Sequence, residues 1–187
     1  MMTRKAFVKG CAVACAASLG CAGTASQAQT LKEAACNPAE LTDLKNRCDA
    51  AQLRFARFIE TVETSIPVEE RKQILHALGT KCSDTYRPAL IDRYVGNLRG
   101  FLEQGLREWM AEAHYDEAAG TIRVVDKGPS CSCPMAKVGE TPGSFCDCTL
   151  GWQEAAYSRI TGRPVKAELE ESILRGGKRC VYRMTIL

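Results

Sequence analysis

Two Cys-x-Cys pairs constrain this chain more than any other feature: Cys131-Ser132-Cys133 and Cys146-Asp147-Cys148, separated by twelve residues. If the two segments pair, four sulfurs share one small patch. In extended chain alternate side chains share a face, so each pair would aim both sulfurs the same way. Antiparallel pairing of the two segments would then set Cys131 opposite Cys148 and Cys133 opposite Cys146. Such a patch can hold a tetrathiolate metal, with zinc the default and iron an alternative, which makes Cys131, Cys133, Cys146 and Cys148 the candidate ligands. It can equally close two cross-strand disulfides and carry no metal. A chain of 187 residues can bury a real core without staples, so its eleven cysteines call for an explanation of their own.

The first residues set the compartment in which those thiols work. Arg4, Lys5 and Lys9 precede an apolar run of small residues, Gly10 to Gly23, and Ser26-Gln27-Ala28 supplies small residues where a signal peptidase cuts. Residues 1–28 are therefore expected to be a removable signal peptide, 29–37 a tether, and 38–187 the folded domain. The apolar run is short for a membrane span. Thr3-Arg4-Lys5-Ala6-Phe7-Val8-Lys9 resembles a twin-arginine export signal, with Lys5 in place of the second arginine. That route implies export of a folded protein, often with its cofactor already inserted. Cys21, after Ser18-Leu19-Gly20, is a candidate lipidation site. The expected location is periplasmic or otherwise outside the cytoplasm, with membrane contact only through the signal or that lipid. An even set of eight cysteines beyond residue 28 in an exported chain also reads as a disulfide framework.

Arg4, Lys5 and Lys9 account for the whole net charge of +3, and residues 1–28 hold no acid. The remaining chain is neutral overall. A nucleic-acid binder needs basic surface to displace counterions, so no nucleic-acid partner is expected, and nothing favours an acidic membrane.

Helical spacing runs from Pro38 to about Ser65 through Leu41, Leu44, Cys48, Phe55, Ile59 and Val62. Cys48 lies on that stripe and reads as a buried core thiol. Pro67 opens a second helix with Ile74, Leu75 and Leu78 as its apolar face and Gly79 as its stop. Shorter helices are expected over Ala89–Val95 and after Asn97. Thr121–Val125 is a β-branched strand, and Trp109–Tyr115 is either its hairpin partner or a helix end. A short helix should follow Gly151-Trp152 and reach Ile160. Val165–Glu170 alternates as a strand, Arg175-Gly176-Gly177-Lys178 turns, and Cys180–Leu187 closes the sheet with Cys180, Tyr182, Met184 and Ile186 on one face. The expected class is α+β, with N-terminal helices (38–108) packed on a small antiparallel sheet (109–187) that carries the cysteine cluster and ends in a C-terminal β-hairpin. His76 reads as partly buried and His114 as facing solvent. Trp152 and Tyr182 flank the cluster. Core packing is their ordinary role, and they are also the candidate contacts for a small-molecule ligand.

Phe145-Cys146-Asp147-Cys148-Thr149-Leu150-Gly151-Trp152, Gly162-Arg163-Pro164-Val165, Glu170-Glu171-Ser172-Ile173-Leu174-Arg175-Gly176-Gly177 and Cys180-Val181-Tyr182 together resemble the L-2-amino-thiazoline-4-carboxylate hydrolase-like family, which is related to 4-vinyl reductase domains. The resemblance is strongest over residues 128–187, and Leu78-Gly79-x-x-Cys82 extends it into the helical half. It implies helices on a small antiparallel sheet, a ligand pocket and, in several relatives, a metal held by cysteines. Three functions follow as expectations: an exported small-molecule-binding or sensor-like protein with a thiolate metal; a metal-dependent hydrolase of a small cyclic amide or thiazoline, in which Cys82 or Cys180 could complete the ligand set; or a disulfide-stapled envelope protein. There is no His-Glu-x-x-His motif, and Glu168, Glu170 and Glu171 suit a solvated strand and turn as well as they suit a general base.

Overall fold

A computed structural model describes residues 37–187. The expected signal peptide, most of the tether, Cys21 and Cys36 lie outside the described residues. Five helices appear in chain order: α1 (Pro38–Ser65), α2 (Val68–Ser83), α3 (Pro88–Arg93), α4 (Leu98–Gly100) and α5 (Cys146–Thr161). A wider helical turn over Phe101–Gly105 continues α4. Four strands, β1 (Met110–Asp116), β2 (Thr121–Asp126), β3 (Val165–Glu171) and β4 (Val181–Ile186), form one antiparallel sheet in the order β1-β2-β4-β3. The α+β class and the C-terminal hairpin are as the sequence predicts. No helix among the described residues is long and apolar enough to cross a membrane.

The chain divides into two compact units at Asp49/Ala50. Of the first, the described residues are Asn37 and the opening turns of α1. They are held locally: the Asn37 side chain accepts from Ala39 N–H at 3.0 Å, and Lys45 pairs with Asp49 at 2.7 Å one turn on. Cys48 is exposed, not buried. Its stripe is shared with residues that also face water, so periodicity alone overstated burial there.

The second unit holds the core. Ile122 and Val124 of β2, Val165 and Ala167 of β3, and Tyr182 and Met184 of β4 face Ala156, Tyr157 and Ile160 of α5, with Phe101, Leu106 and Ile91 closing the end. The opposite face carries charge: Glu170 takes the guanidinium of Arg123 at 2.9 Å and that of Arg183 beside it. Asn97 caps α4 through Gly100 N–H at 2.9 Å. Gly162, at φ 68°, ends α5 in the left-handed conformation that a glycine allows.

Gly79 does not end α2, which runs on to Ser83. Its glycine has a different cause. A Cβ on Gly79 would lie 1.7 Å from the carbonyl oxygen of Cys148, and a Cβ on Gly151 would lie 2.0 Å from that of His76. The two helices thus touch backbone to backbone and run antiparallel, with His76 near Glu154 at one end and Cys82 near Cys148 at the other. Of the expected face Ile74, Leu75 and Leu78, only Leu75 is buried, because the contact is made by the glycine stripe rather than by the leucines. Gly79→Ala and Gly151→Ala should each cost about 2–3 kcal/mol by overpacking, read as a lower urea midpoint at unchanged slope. An unchanged midpoint would refute the backbone contact.

Candidate functional site

The second Cys-x-Cys is helical, not extended. A 3-10 turn over Gly143–Phe145 leads into α5 at Cys146, and Arg175 pins that start by donating to Gly143 O at 3.0 Å and pairing with Asp147 at 2.7 Å. Residues two apart on an α-helix point about 200° apart. Cys146 and Cys148 therefore look to opposite sides, and the antiparallel pairing expected for extended segments does not form. Cys131 and Cys133 lie in the irregular chain between β2 and α5.

The fold nevertheless gathers six thiols. Cys133 has Cys82, Cys146 and Cys148 as electrostatic neighbours, and Cys148 has Cys82, Cys133 and Cys146. Cys82 arrives from the last turn of α2, one turn beyond Gly79. The glycine crossing is what lays it beside Cys148. Cys131 takes a different partner: its thiol hydrogen-bonds Cys180, the residue just ahead of β4. Of the four predicted ligands, Cys133, Cys146 and Cys148 fall together with Cys82, while Cys131 pairs with Cys180. All seven described cysteines are free thiols.

Burial pushes Cys133, Cys146 and Cys148 above the ordinary thiol range, Cys148 up to about 12. Polar contacts oppose this. The Cys133 sulfur accepts from the backbone N–H groups of Met135 and Ala136. Cys146 Sγ lies 3.0 Å from Ser172 Oγ, in a buried contact, with Arg175 as a nearby cation. The Cys131 hydrogen bond holds Cys180 below its usual range, helped by Ile173 N–H and the Tyr182 hydroxyl, and the same bond raises Cys131. Among the described residues, no three His, Cys, Asp or Glu side chains form a ready-made metal-binding group.

Asp126 went unnoticed in the sequence. It continues the inward alternation Ile122, Val124, Asp126, is 2% exposed, and donates its N–H to Cys180 O at 2.9 Å. Ser132 Oγ donates to Oδ2 at 2.6 Å, and Oδ1 has no hydrogen-bond partner. An acid ending a β-branched run was the available signal. Tyr182 is buried on β4 with its hydroxyl on Cys180, and burial raises its own pKa. Trp152 is half-buried against the main core, and its indole N–H is buried without a partner. His76 is half-buried, 2.7 Å from Glu154, and His114 is exposed on β1. Two open clefts, about 300 and 350 Å³, are lined by residues such as Leu102, Glu103 and Arg107, and Asn97, Arg99 and Arg163; no cysteine lines either.

Burial raises the Asp126 carboxyl to about 6, against the Ser132 hydrogen bond. A folded pKa above the unfolded value means the native state binds the proton more tightly. The group therefore costs nothing below pH 4, and its cost grows to about 3 kcal/mol as pH rises through 6. Asp126→Asn should remove that decline, so urea-unfolding free energies measured from pH 4 to 7 fall more shallowly in the variant. Parallel profiles would show that Asp126 titrates normally.

No protein-family model matches the sequence, and no curated protein matches it. Among solved structures the chain is similar to a trafficking protein particle complex subunit 3 from Naegleria fowleri covalently bound to palmitic acid, with a TM-score of 0.51 and 12% identity over 76% of this chain and 96% of that one. It is also similar to the phenol-responsive sensory domain of the transcription activator PoxR with phenol, with a TM-score of 0.42 and 14% identity over 72% of this chain and 74% of that one. At such identity the first likeness is one of fold.

Proposed function

We propose that this chain is an exported binding or sensor-like protein whose working centre is a thiolate metal site built from Cys82, Cys133, Cys146 and Cys148. One observation carries the reading: α2, the β2–α5 loop and the first turn of α5 bring these four free thiols into one neighbourhood. The donor set suits zinc, or iron as the alternative. A tetrathiolate centre with Zn–S bonds near 2.3 Å needs sulfurs about 3.8 Å apart, so binding draws the four inward from where they stand. The N–H groups of Met135 and Ala136 on Cys133, and Ser172 on Cys146, are the outer hydrogen bonds that a bound thiolate requires. Because burial keeps Cys133, Cys146 and Cys148 protonated, metal must displace protons there, and retention weakens as pH falls.

The twin-arginine-like signal and the resemblance to the thiazoline hydrolase-like family belong to the same proposal. A site loaded before export would keep its thiols out of reach of oxidants. A small-molecule ligand is part of the reading, with Trp152 and Tyr182 the nearest aromatic residues in sequence. The hydrolase reading gains no base at the cluster: His76 is engaged by Glu154, and His114 faces solvent.

Native mass spectrometry of chain purified from cytoplasm without chelator should show one transition metal per molecule. Cys148→Ser and Cys82→Ser should lose it, while Cys131→Ser and the exposed Cys48→Ser keep it. Loss in Cys131→Ser with retention in Cys82→Ser would restore the two Cys-x-Cys pairs as the ligand set. A metal-free wild-type chain would overturn the site.

A further inference from the structure

The thiol cluster has a cover, and few contacts hold it down. The buried residues of α1 are Ala56, Ile59 and Val62. Ile59 is fully buried and packs with Leu75, Ala136, Phe145 and Cys148, with Cys133 at the edge of the same group. Phe55, one turn earlier, meets the Phe145 ring edge-on at a centroid distance of 4.8 Å. Two polar ties close the rim: Gln52 Nε2 donates to Pro134 O at 2.7 Å, and Arg57 pairs with Glu140 at 3.2 Å. Pro134 directly follows Cys133, and Phe145 directly precedes Cys146. Residues 52–62 therefore lie across the segment that supplies one proposed ligand and leads into two more. Both ties are exposed, and the ion pair is worth little in water.

The far end of this stretch is a joint. α1 ends at Ser65 and α2 begins at Val68. Ile66 N–H still reaches Val62 O at 3.0 Å, but Pro67 has no N–H to give and its backbone is extended, at φ −53° and ψ 148°. The helical ladder is broken there. Arg71 reaches back across the break to Glu63 O at 3.3 Å, which keeps the two ends together, and α2 is seated on α5 through Gly79 and Gly151. A stiff rod on a two-residue joint, held down by one aromatic pair, a short apolar stripe and two exposed ties, is built as a hinged element.

We propose that α1 beyond Ala50 is a strap that seals the thiol cluster and swings about Ile66–Pro67 to admit metal to Cys133 and Cys148. The inference deepens the metal-site reading and rests on it for what passes through; the strap itself is read from contacts in which no metal takes part. Cys148 is 9% exposed beneath the strap, so opening sets the rate at which an ion or a reagent reaches its sulfur. Cys180 is the internal reference. It is as well buried, but it lies in the other core group with the sheet and α5, where motion of α1 does not uncover it.

The test uses the full chain, stripped of metal by chelator and pulsed with N-ethylmaleimide under native conditions, with the labelling rate of each cysteine mapped by mass spectrometry. In the wild type, Cys133 and Cys148 should label far more slowly than the exposed Cys48. Phe55→Ala should speed both about tenfold, the factor for about 1.4 kcal/mol of lost contact, and leave Cys180 unchanged. Gln52→Ala removes one rim hydrogen bond, disturbs no buried group, and should speed the same two sites about fivefold. Equal acceleration of Cys180 would mean general loosening, and unchanged rates at Cys133 and Cys148 would mean that α1 guards nothing; either result overturns the strap. Zinc uptake by the same samples separates the two readings. A chain that takes up no zinc but shows the strap's labelling pattern sinks the metal site alone. A chain that binds zinc while neither variant changes the labelling sinks the strap alone.

Discussion

The approach of α2 to α5 at Gly79 and Gly151 sets the geometry on which the rest of the second unit depends. At this contact a methyl group on either glycine would enter the other helix's backbone. Residues three apart on a helix share a face. The crossing therefore fixes what lies one turn away on each side: Cys82 beside Cys148, and His76 against Glu154. Glu154 also accepts from Lys166 and from Ala167 N–H. Burial alone would raise its pKa, but those donors outweigh it and hold the carboxylate low. The same two glycines thus help anchor α5 to β3 and deliver a cysteine from a separate helix to the thiol cluster.

Around the cluster, desolvation and hydrogen bonding compete, and different sulfurs resolve the contest differently. At Cys148 burial prevails and raises the thiol, and the neighbouring cysteines add to it. Cys180 is buried too, but three donors converge on it and prevail. The outcome is two kinds of sulfur: thiols that burial keeps protonated, and a buried Cys180 whose donors hold it low. Asp126 sharpens the contrast. It is an acid kept dry at the end of β2, bonded through Ser132 on one oxygen, and its field acts on Cys180, Tyr157 and Tyr182.

Much of the architecture was legible. Long helical periodicity over Pro38–Ser65, the β-branched run Thr121–Val125, and the alternating segments Val165–Glu170 and Cys180–Ile186 each became the expected element. These are local patterns whose period is a property of the backbone itself. The errors share a cause as well. Gly79 looked like a helix stop because glycine often is one, whereas its role is a close approach by a helix nearly seventy residues away in sequence. Cys146 and Cys148 looked like strand residues because the reading began α5 only after Gly151, and nothing local marks the 3-10 turn that starts it earlier.

By itself the sequence determined the class of fold and marked the cysteines as the feature that a site would have to use. Each follows from composition or from spacing along a single element. Which thiol meets which was decided only by the tertiary structure. Two residues apart on a strand share a face, but two apart on a helix oppose each other, so the start of α5 removes the extended pairing of the two Cys-x-Cys segments. Cys82 and Cys180, distant in sequence, fill the places left open because helix crossing and strand pairing carry them there.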